Sequence, residues 1–445
     1  MRSRAADSAG PVGAHRRWRD ELPLWLAATG ALGAHSFVVP GVSIADLALA
    51  AAAAWAAGEL WRARRVPALP RWLLWAALAA LWALLGAVVL AGGSPFEFSW
   101  VEFGKSFAKL LFYPTAVFFV GTSLERLAPE RAADVLLWAL TLNAAIALYI
   151  YVVMAAGLDL PYRFLWALSE HGEETARFGF GASLMPPARA RGLASEPSAL
   201  AWFQVVGLAA ALLPAPRGWR PPRWRVFVVV ASVVLTFSLT GYGLLCVLGL
   251  ALLARGGVRT ARLLRRAVIP VGLVIVGLLS IPAVRQGFDA TVTERLVELA
   301  TGVRDVSATL RLRSSWEMAA AMVRGSPLFG AGLGHYDVAL ETLRAALAMP
   351  EHLKPGTQGW NALAYLLGAL GPVGLGCGLL LLWEVWRRSR PAGAMLLAAV
   401  CADSTILGAP FWLFYLLLHR AARHHSAAKS SSAAATTGQA SEGSA

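Results

Sequence analysis

Stretches of apolar residues too long for the interior of a soluble domain recur along the whole chain, and they decide what it can fold into. A bilayer crossing needs about 20 such residues, and lipid offers no water to an open backbone, so each stretch reads as a membrane helix. Candidate spans are 24–41, 43–60, 72–91, 104–121, 132–157, 198–213, 267–284 and 359–386. The run 224–254 is too long for one crossing, and Ser238-Leu239-Thr240-Gly241 near its middle divides it into two. The run 393–418 reads as one tilted helix or as a hairpin broken around Gly408-Ala409-Pro410.

Charge decides between these. Lys and Arg number 40 against 26 Asp and Glu, a formal charge of +14. With the N-terminus in the cytoplasm and every division accepted, the chain crosses twelve times. The N-terminal arginines, Arg62 to Arg71, Arg126/Arg131, Arg217 to Arg225, Arg255 to Arg266, Arg387 to Arg390 and Arg420/Arg423 then all fall inside, as the positive-inside rule requires. A single last helix would put Arg420 and Arg423 outside, so the hairpin is preferred. The basic excess is therefore an orientation signal, and nucleic acid is not an expected partner.

The expected fold class is an all-α polytopic membrane protein of about twelve transmembrane helices. Residues 1–22 form a basic cytoplasmic tail, 23–420 the membrane domain, and 421–445 a low-complexity, disordered cytoplasmic tail. The first apolar run reads as an uncleaved signal anchor. Cys246, Cys377 and Cys401 lie in separate apolar runs and imply neither disulfides nor a metal cluster. Two long external segments remain, 158–197 and 285–358. Within the second, 311–324 places Leu312, Trp316, Ala319 and Ala320 on one face, an amphipathic helix expected to lie on the membrane surface.

Asp46, Lys109 and Asp403 are the main charges inside the spans and show no pairing of the kind an ion-coupled transporter uses. Polar chemistry gathers instead in the external segments. Arg191 stands at the outer end of a span, where a guanidinium can hold a phosphate bidentately. Glu196, at the same boundary, is a candidate base, while Ser195 and Pro197 read equally as helix-start residues. Arg311 and Arg313 precede Gly325-Ser-Pro-Leu-Phe-Gly330-Ala-Gly332-Leu-Gly334-His335-Tyr336-Asp337, where His335 is a second candidate base. Trp360-Asn361 opens the tenth span, with Gly371-Pro-Val-Gly374 beyond it. Lys105 and Lys109, one turn apart among Phe103, Phe107, Phe112 and Tyr113, read as snorkelling lysines or as an anion-attracting outer mouth.

Together these segments resemble the bacterial O-antigen ligase/polymerase superfamily of membrane glycosyltransferases. The resemblance runs over roughly 24–418 and rests on Gly41-Val-Ser-Ile-Ala-Asp46, the Arg191-Gly192…Glu196-Pro197-Ser198 element, the Ser238-Leu-Thr-Gly241 turn, and the Arg-rich helix with Trp316 running into Ser326-Pro-Leu-Phe-Gly330-Ala-Gly332. It implies a GT-C-like fold in the bacterial inner membrane, with both external segments periplasmic. It also implies a reaction without metal or cofactor on an undecaprenyl-diphosphate-linked oligosaccharide, with a flippase and a chain-length regulator as partners. Arg191, Arg311, Arg313, Lys105 and Lys109 would bind the diphosphate, Glu196 or His335 would act as base, and Asn361 would orient substrate. Leu239 and Trp360 stand where ligases carry Arg and His. The resemblance therefore points to a polymerase of polysaccharide repeat units, with a ligase as the alternative.

Overall fold

A computed structural model describes residues 11–31, 37–39, 42–65, 67–155, 190, 194, 197–216, 219–255, 313–343, 361–402 and 408–420, with isolated positions between 277 and 297. Arg191, Glu196, Arg311, Trp360, Asp403, residues 1–10 of the N-terminal tail, the C-terminal tail and nearly all of the expected span 267–284 lie outside the described residues.

The chain is helical. In order come α1 (Pro11–Gly30), a short antiparallel pair β1 (Phe37–Val39) and β2 (Val42–Ser43), α2 (Ile44–Arg62), α3 (Arg71–Ala91), α4 (Trp100–Leu124) and α5 (Pro129–Ala155). There follow α6 (Pro197–Leu212), α7 (Arg223–Val234), α8 (Leu239–Arg255), α9 (Ser315–Gly325), α10 (Tyr336–Leu343), α11 (Ala362–Trp386), α12 (Arg390–Ala402) and α13 (409–420). Among the described residues, α2, α3, α4, α5 and α11 are long and apolar enough to cross a membrane.

Helix α3 shows why such segments suit lipid. Leu74, Leu78, Leu81, Leu85 and Val88 recur at helical spacing on its exposed face, whereas Ala76, Ala79, Ala80, Ala83, Gly86 and Ala87 are buried. Large apolar groups point outward and small ones inward, the arrangement of helices whose solvent is hydrocarbon and whose backbones approach closely. The centre is α6 and α13, apolar on all sides and buried almost throughout. Phe203 and Phe414 meet there with ring centroids 5.2 Å apart, and a Cβ on Gly207 would come within 2.6 Å of Leu140.

Two divisions in the sequence are real breaks. Helix α7 ends at Val234 and α8 begins at Leu239, joined by a turn in which Phe237 has φ 46°. Tyr242 donates to the Val234 carbonyl at 2.7 Å and pins that turn. Across the last run, Arg388 before it lies 2.7 Å from His419 after it, 31 positions away. A continuous helix at 1.5 Å per residue would hold them about 45 Å apart, so the chain doubles back.

Two expectations are corrected. The apolar run 24–41 is not one helix: α1 starts earlier and ends at Gly30, and the aromatic and β-branched Phe37–Val39 stretch pairs with Val42–Ser43 instead. Ser43 then caps α2 in a reciprocal box with Asp46, whose second oxygen accepts from Tyr113 at 2.7 Å. Second, helix α9 does not expose an apolar face. It buries Ser315, Met318, Ala319 and Met322, a face rotated by about one residue from the expected one, and packs on α11. Protein, not headgroup, covers it.

Basic side chains close one end of the bundle. Arg131 pairs with buried Glu21 (2.6 Å), and Arg387 and Arg388 share Glu384 (2.7 and 3.2 Å). Arg225 stacks 3.8 Å over Trp138, and Arg255 donates to the carbonyls of Leu212, which ends α6, and of Ala215 just beyond it. The starts of α4, α6 and α11, the α7–α8 turn and the loop before α10 sit at the ends of their helices away from these groups.

Candidate functional site

Two neighbourhoods form away from the cation-rich end. The first centres on the α7–α8 turn. Ala190, the residue before Arg191, donates its N–H to the Leu235 carbonyl at 2.8 Å and is buried. Ala190, Leu200, Leu235, Phe237 and Val292 share a small apolar core with Ala147 and Tyr151 of α5, and Ala194, Leu239 and Phe288 pack against it. Phe237 and Phe288 meet edge to face at 6.2 Å. The end of the first long segment, the Ser238–Gly241 turn and the start of the second segment are thus one packed unit. Helix α6 begins at Pro197, the first-turn position its fixed φ favours.

The second neighbourhood is the glycine-rich loop between α9 and α10, and it is built by a kink in α11. Pro372 has no N–H to give the Gly368 carbonyl, so the helical ladder opens there and Gly371 takes φ 68°. The freed Gly368 carbonyl accepts from the Ala331 N–H at 2.7 Å, and the Leu370 carbonyl accepts from Trp82 Nε1 at 3.0 Å. Backbones touch: a Cβ on Gly330 would fall 2.1 Å from the Gly368 oxygen, and one on Gly371 2.1 Å from the Leu328 oxygen. The Ser326-Pro-Leu-Phe-Gly330 and Gly371-Pro-Val-Gly374 motifs are two halves of one joint.

His335 closes the loop. It is fully buried, stacks on Phe98 at 4.4 Å, accepts from the Ser99 N–H at Nε2 (2.7 Å) and lies 3.1 Å from the Leu333 carbonyl through Nδ1. Burial holds its pKa below the ordinary 6.5. A base needs a free lone pair, and here the imidazole's is occupied by Ser99. His335 therefore latches the loop to the start of α4.

The other described candidates divide similarly. Asn361 is buried and caps α11, its side-chain oxygen accepting from the Leu363 and Ala364 N–H groups (3.0 and 3.2 Å). Arg313 is 71% exposed and pairs with Glu317 at 2.7 Å, which raises its pKa. Lys105 is exposed and pairs with Glu102 at 2.7 Å, while Lys109, one turn on, is half-buried. The structure fastens His335 to the start of α4, the helix that also carries Lys105 and Lys109, while Arg313 stands just before α9 and Asn361 caps α11.

Asp337 was not singled out by sequence reasoning. One of its oxygens is enclosed without a hydrogen-bond donor among the described residues, and burial pushes its carboxyl up. Its only sequence signal is position, two residues beyond the glycine-rich loop. Among the described residues, no group of three or more His, Cys, Asp and Glu side chains could hold a metal ion. No known protein-family model and no curated protein matches the chain.

Proposed function

We propose that the protein is a polymerase of undecaprenyl-diphosphate-linked glycan repeats, with its reacting face on the periplasmic side of the bacterial inner membrane. In this reading the chain crosses the membrane twelve times with a GT-C-like arrangement, the cation-rich end faces the cytoplasm, and a flippase and chain-length regulator act beside it. One observation carries the reading most directly. The hydrogen bond from Ala190 to Leu235 ties the Arg191 element to the Ser238–Gly241 turn, and both lie at the outward end under this topology.

An acceptor sugar hydroxyl attacks the donor's anomeric carbon; the bond from that carbon to the diphosphate breaks, and undecaprenyl diphosphate leaves with the electron pair. Arg191, with Arg311 or Arg313, holds the diphosphate as its charge grows, a role preorganised cations fill without reorganisation in the transition state. Lys105 and Lys109 draw the anion to the outer mouth. Glu196, in the same element as Arg191, takes the acceptor proton. His335 and Asn361 act by holding the loop and the start of α11.

The test is a deletion strain complemented with Arg191→Ala, Glu196→Gln or wild type. Loss of long glycan, with single repeats still reaching the final acceptor and protein levels intact, is the expected result for both variants. Long glycan accumulating on the carrier lipid in the deletion strain would make the protein a ligase, and near-normal polymer in both variants would sink the assignment.

A further inference from the structure

Several arginines at the cation-rich end are spent on the protein itself, on Glu21, on Glu384, on the Trp138 ring or on carbonyls beside a helix end. The connection from α2 to α3 differs. Arg64, Arg65 and Arg71 are exposed there and make no ion pair or side-chain hydrogen bond among the described residues, while Arg62 takes Glu59 at 2.6 Å. Glu59 lines one crevice with Arg19 and Arg126, which places this loop at the same end. The turn is closed by two backbone bonds, from the Arg64 N–H to the Trp61 carbonyl (3.0 Å) and from the Arg65 N–H to the Leu60 carbonyl (3.2 Å). That pair of bonds ends a helix on a left-handed residue, most often glycine. Here the residue is Arg64, with φ 49°, so a strained backbone carries a guanidinium where glycine would sit freely.

The helix faces on either side say what these charges meet. On α3, Arg71 stands three positions before Leu74, at the head of the exposed row that continues through Leu78, Leu81, Leu85 and Val88. On α2, Leu47, Ala51, Ala54 and Trp61 recur at helical spacing as a second exposed row, and Trp61, 85% exposed, ends it three residues before Arg64. Leu69, 67% exposed, adds a further apolar group within the loop. The arginines thus continue rows that face hydrocarbon, at the depth where tryptophan sits among headgroups and basic side chains reach phosphates. We propose that the α2–α3 loop docks on the anionic phospholipids of the leaflet it faces. Trp61 and Leu69 lie at the boundary between headgroup and acyl chain, and the lipid phosphates accept charge-assisted hydrogen bonds from Arg64, Arg65 and Arg71. This goes beyond glycosyl transfer and does not depend on it.

The full chain, purified in detergent, is given an equimolar mixture of phosphatidylglycerol and phosphatidylcholine with matched acyl chains, and the first lipid bound is read by native mass spectrometry. Wild type should favour phosphatidylglycerol. Arg64→Gly and Arg71→Gln should each lower the ratio of the two adducts about 5-fold, the scale of one basic side chain at an anionic surface. Arg64→Lys and Arg71→Lys keep the charge and should keep the ratio. Arg64→Gly also removes the backbone strain, so its unfolding midpoint in lipid-free detergent should hold or rise, which separates lost lipid contact from lost fold. A wild-type ratio of one, leaving the loop to water or to a protein partner, would overturn the proposal. So would an unchanged ratio in the folded Gly and Gln variants, or a lower midpoint for Arg64→Gly, which would make Arg64 a packing residue.

Discussion

The Ser99 N–H and the His335 imidazole meet at 2.7 Å across 236 positions of sequence, and that single bond fastens the glycine-rich loop to the start of α4. The loop holds the neutral ring, whose pKa is depressed by burial. A group of this kind contributes stability fully above its unfolded pKa and loses it as pH falls from about 6.5 towards the folded value. Limited proteolysis of the 326–335 loop should therefore quicken as pH drops through that window. His335→Ala should abolish the pH dependence and destabilise by about 1–3 kcal/mol, the cost of orphaning a buried donor. His335→Gln, which can accept from Ser99, should recover part of it.

Pro372 frees the carbonyl that Ala331 uses. Pro372→Ala restores a competing N–H, so hydrogen exchange at the Ala331 amide should speed up while α11 itself stays helical. Gly371→Ala is harsher, since it combines φ 68° with a Cβ 2.1 Å from the Leu328 oxygen, and should prevent accumulation of folded protein.

Asp337 keeps a buried carboxyl with a raised pKa, so it favours the folded state below its unfolded pKa and costs stability as pH rises through the folded one. Asp337→Asn should raise the unfolding midpoint at neutral pH. Since the base is assigned to Glu196, glycan length should not change; a folded Asp337→Asn protein without polymer would move the base to Asp337.

Arg313 is exposed and, among the described residues, pairs with Glu317 one turn on, so Arg313→Ala should leave the unfolding midpoint where it is. Any loss of glycan in that variant, read on gels of surface polysaccharide, is then a loss of substrate binding.

The return of α13 beside the start of α12 predicts that cysteines at 388 and 419, in a background lacking Cys246, Cys377 and Cys401, are labelled from the cytoplasmic side and cross-link to each other. Labelling from opposite faces would contradict the hairpin.

The helices were legible because lipid imposes length and apolarity on each of them, and the Ser238–Gly241 break because a run too long for one crossing must turn. The end of α1 was not, since the apolar residues 24–41 suit helix and strand alike until Val42–Ser43 supplies a partner for Phe37–Val39. Helix α9 showed its amphipathicity, yet sequence could not say that α11 would cover it. At the site, Gly330 and Gly332 were visible as a motif, but the seat of their loop depends on the Gly368 carbonyl released by Pro372, more than 30 residues away. His335 looked chemical because histidine can be; only the distant Ser99 shows that its lone pair is spent.

The most direct test of the central claim is reconstitution. The purified protein is placed in liposomes with undecaprenyl-diphosphate-linked repeats extracted from a strain lacking this gene, and the products are resolved by length. The account predicts a ladder of longer lipid-linked glycans with undecaprenyl diphosphate released at each step, and a fall of about 10²–10⁴-fold in rate for Glu196→Gln. Repeats that stay single in the presence of folded protein would contradict it.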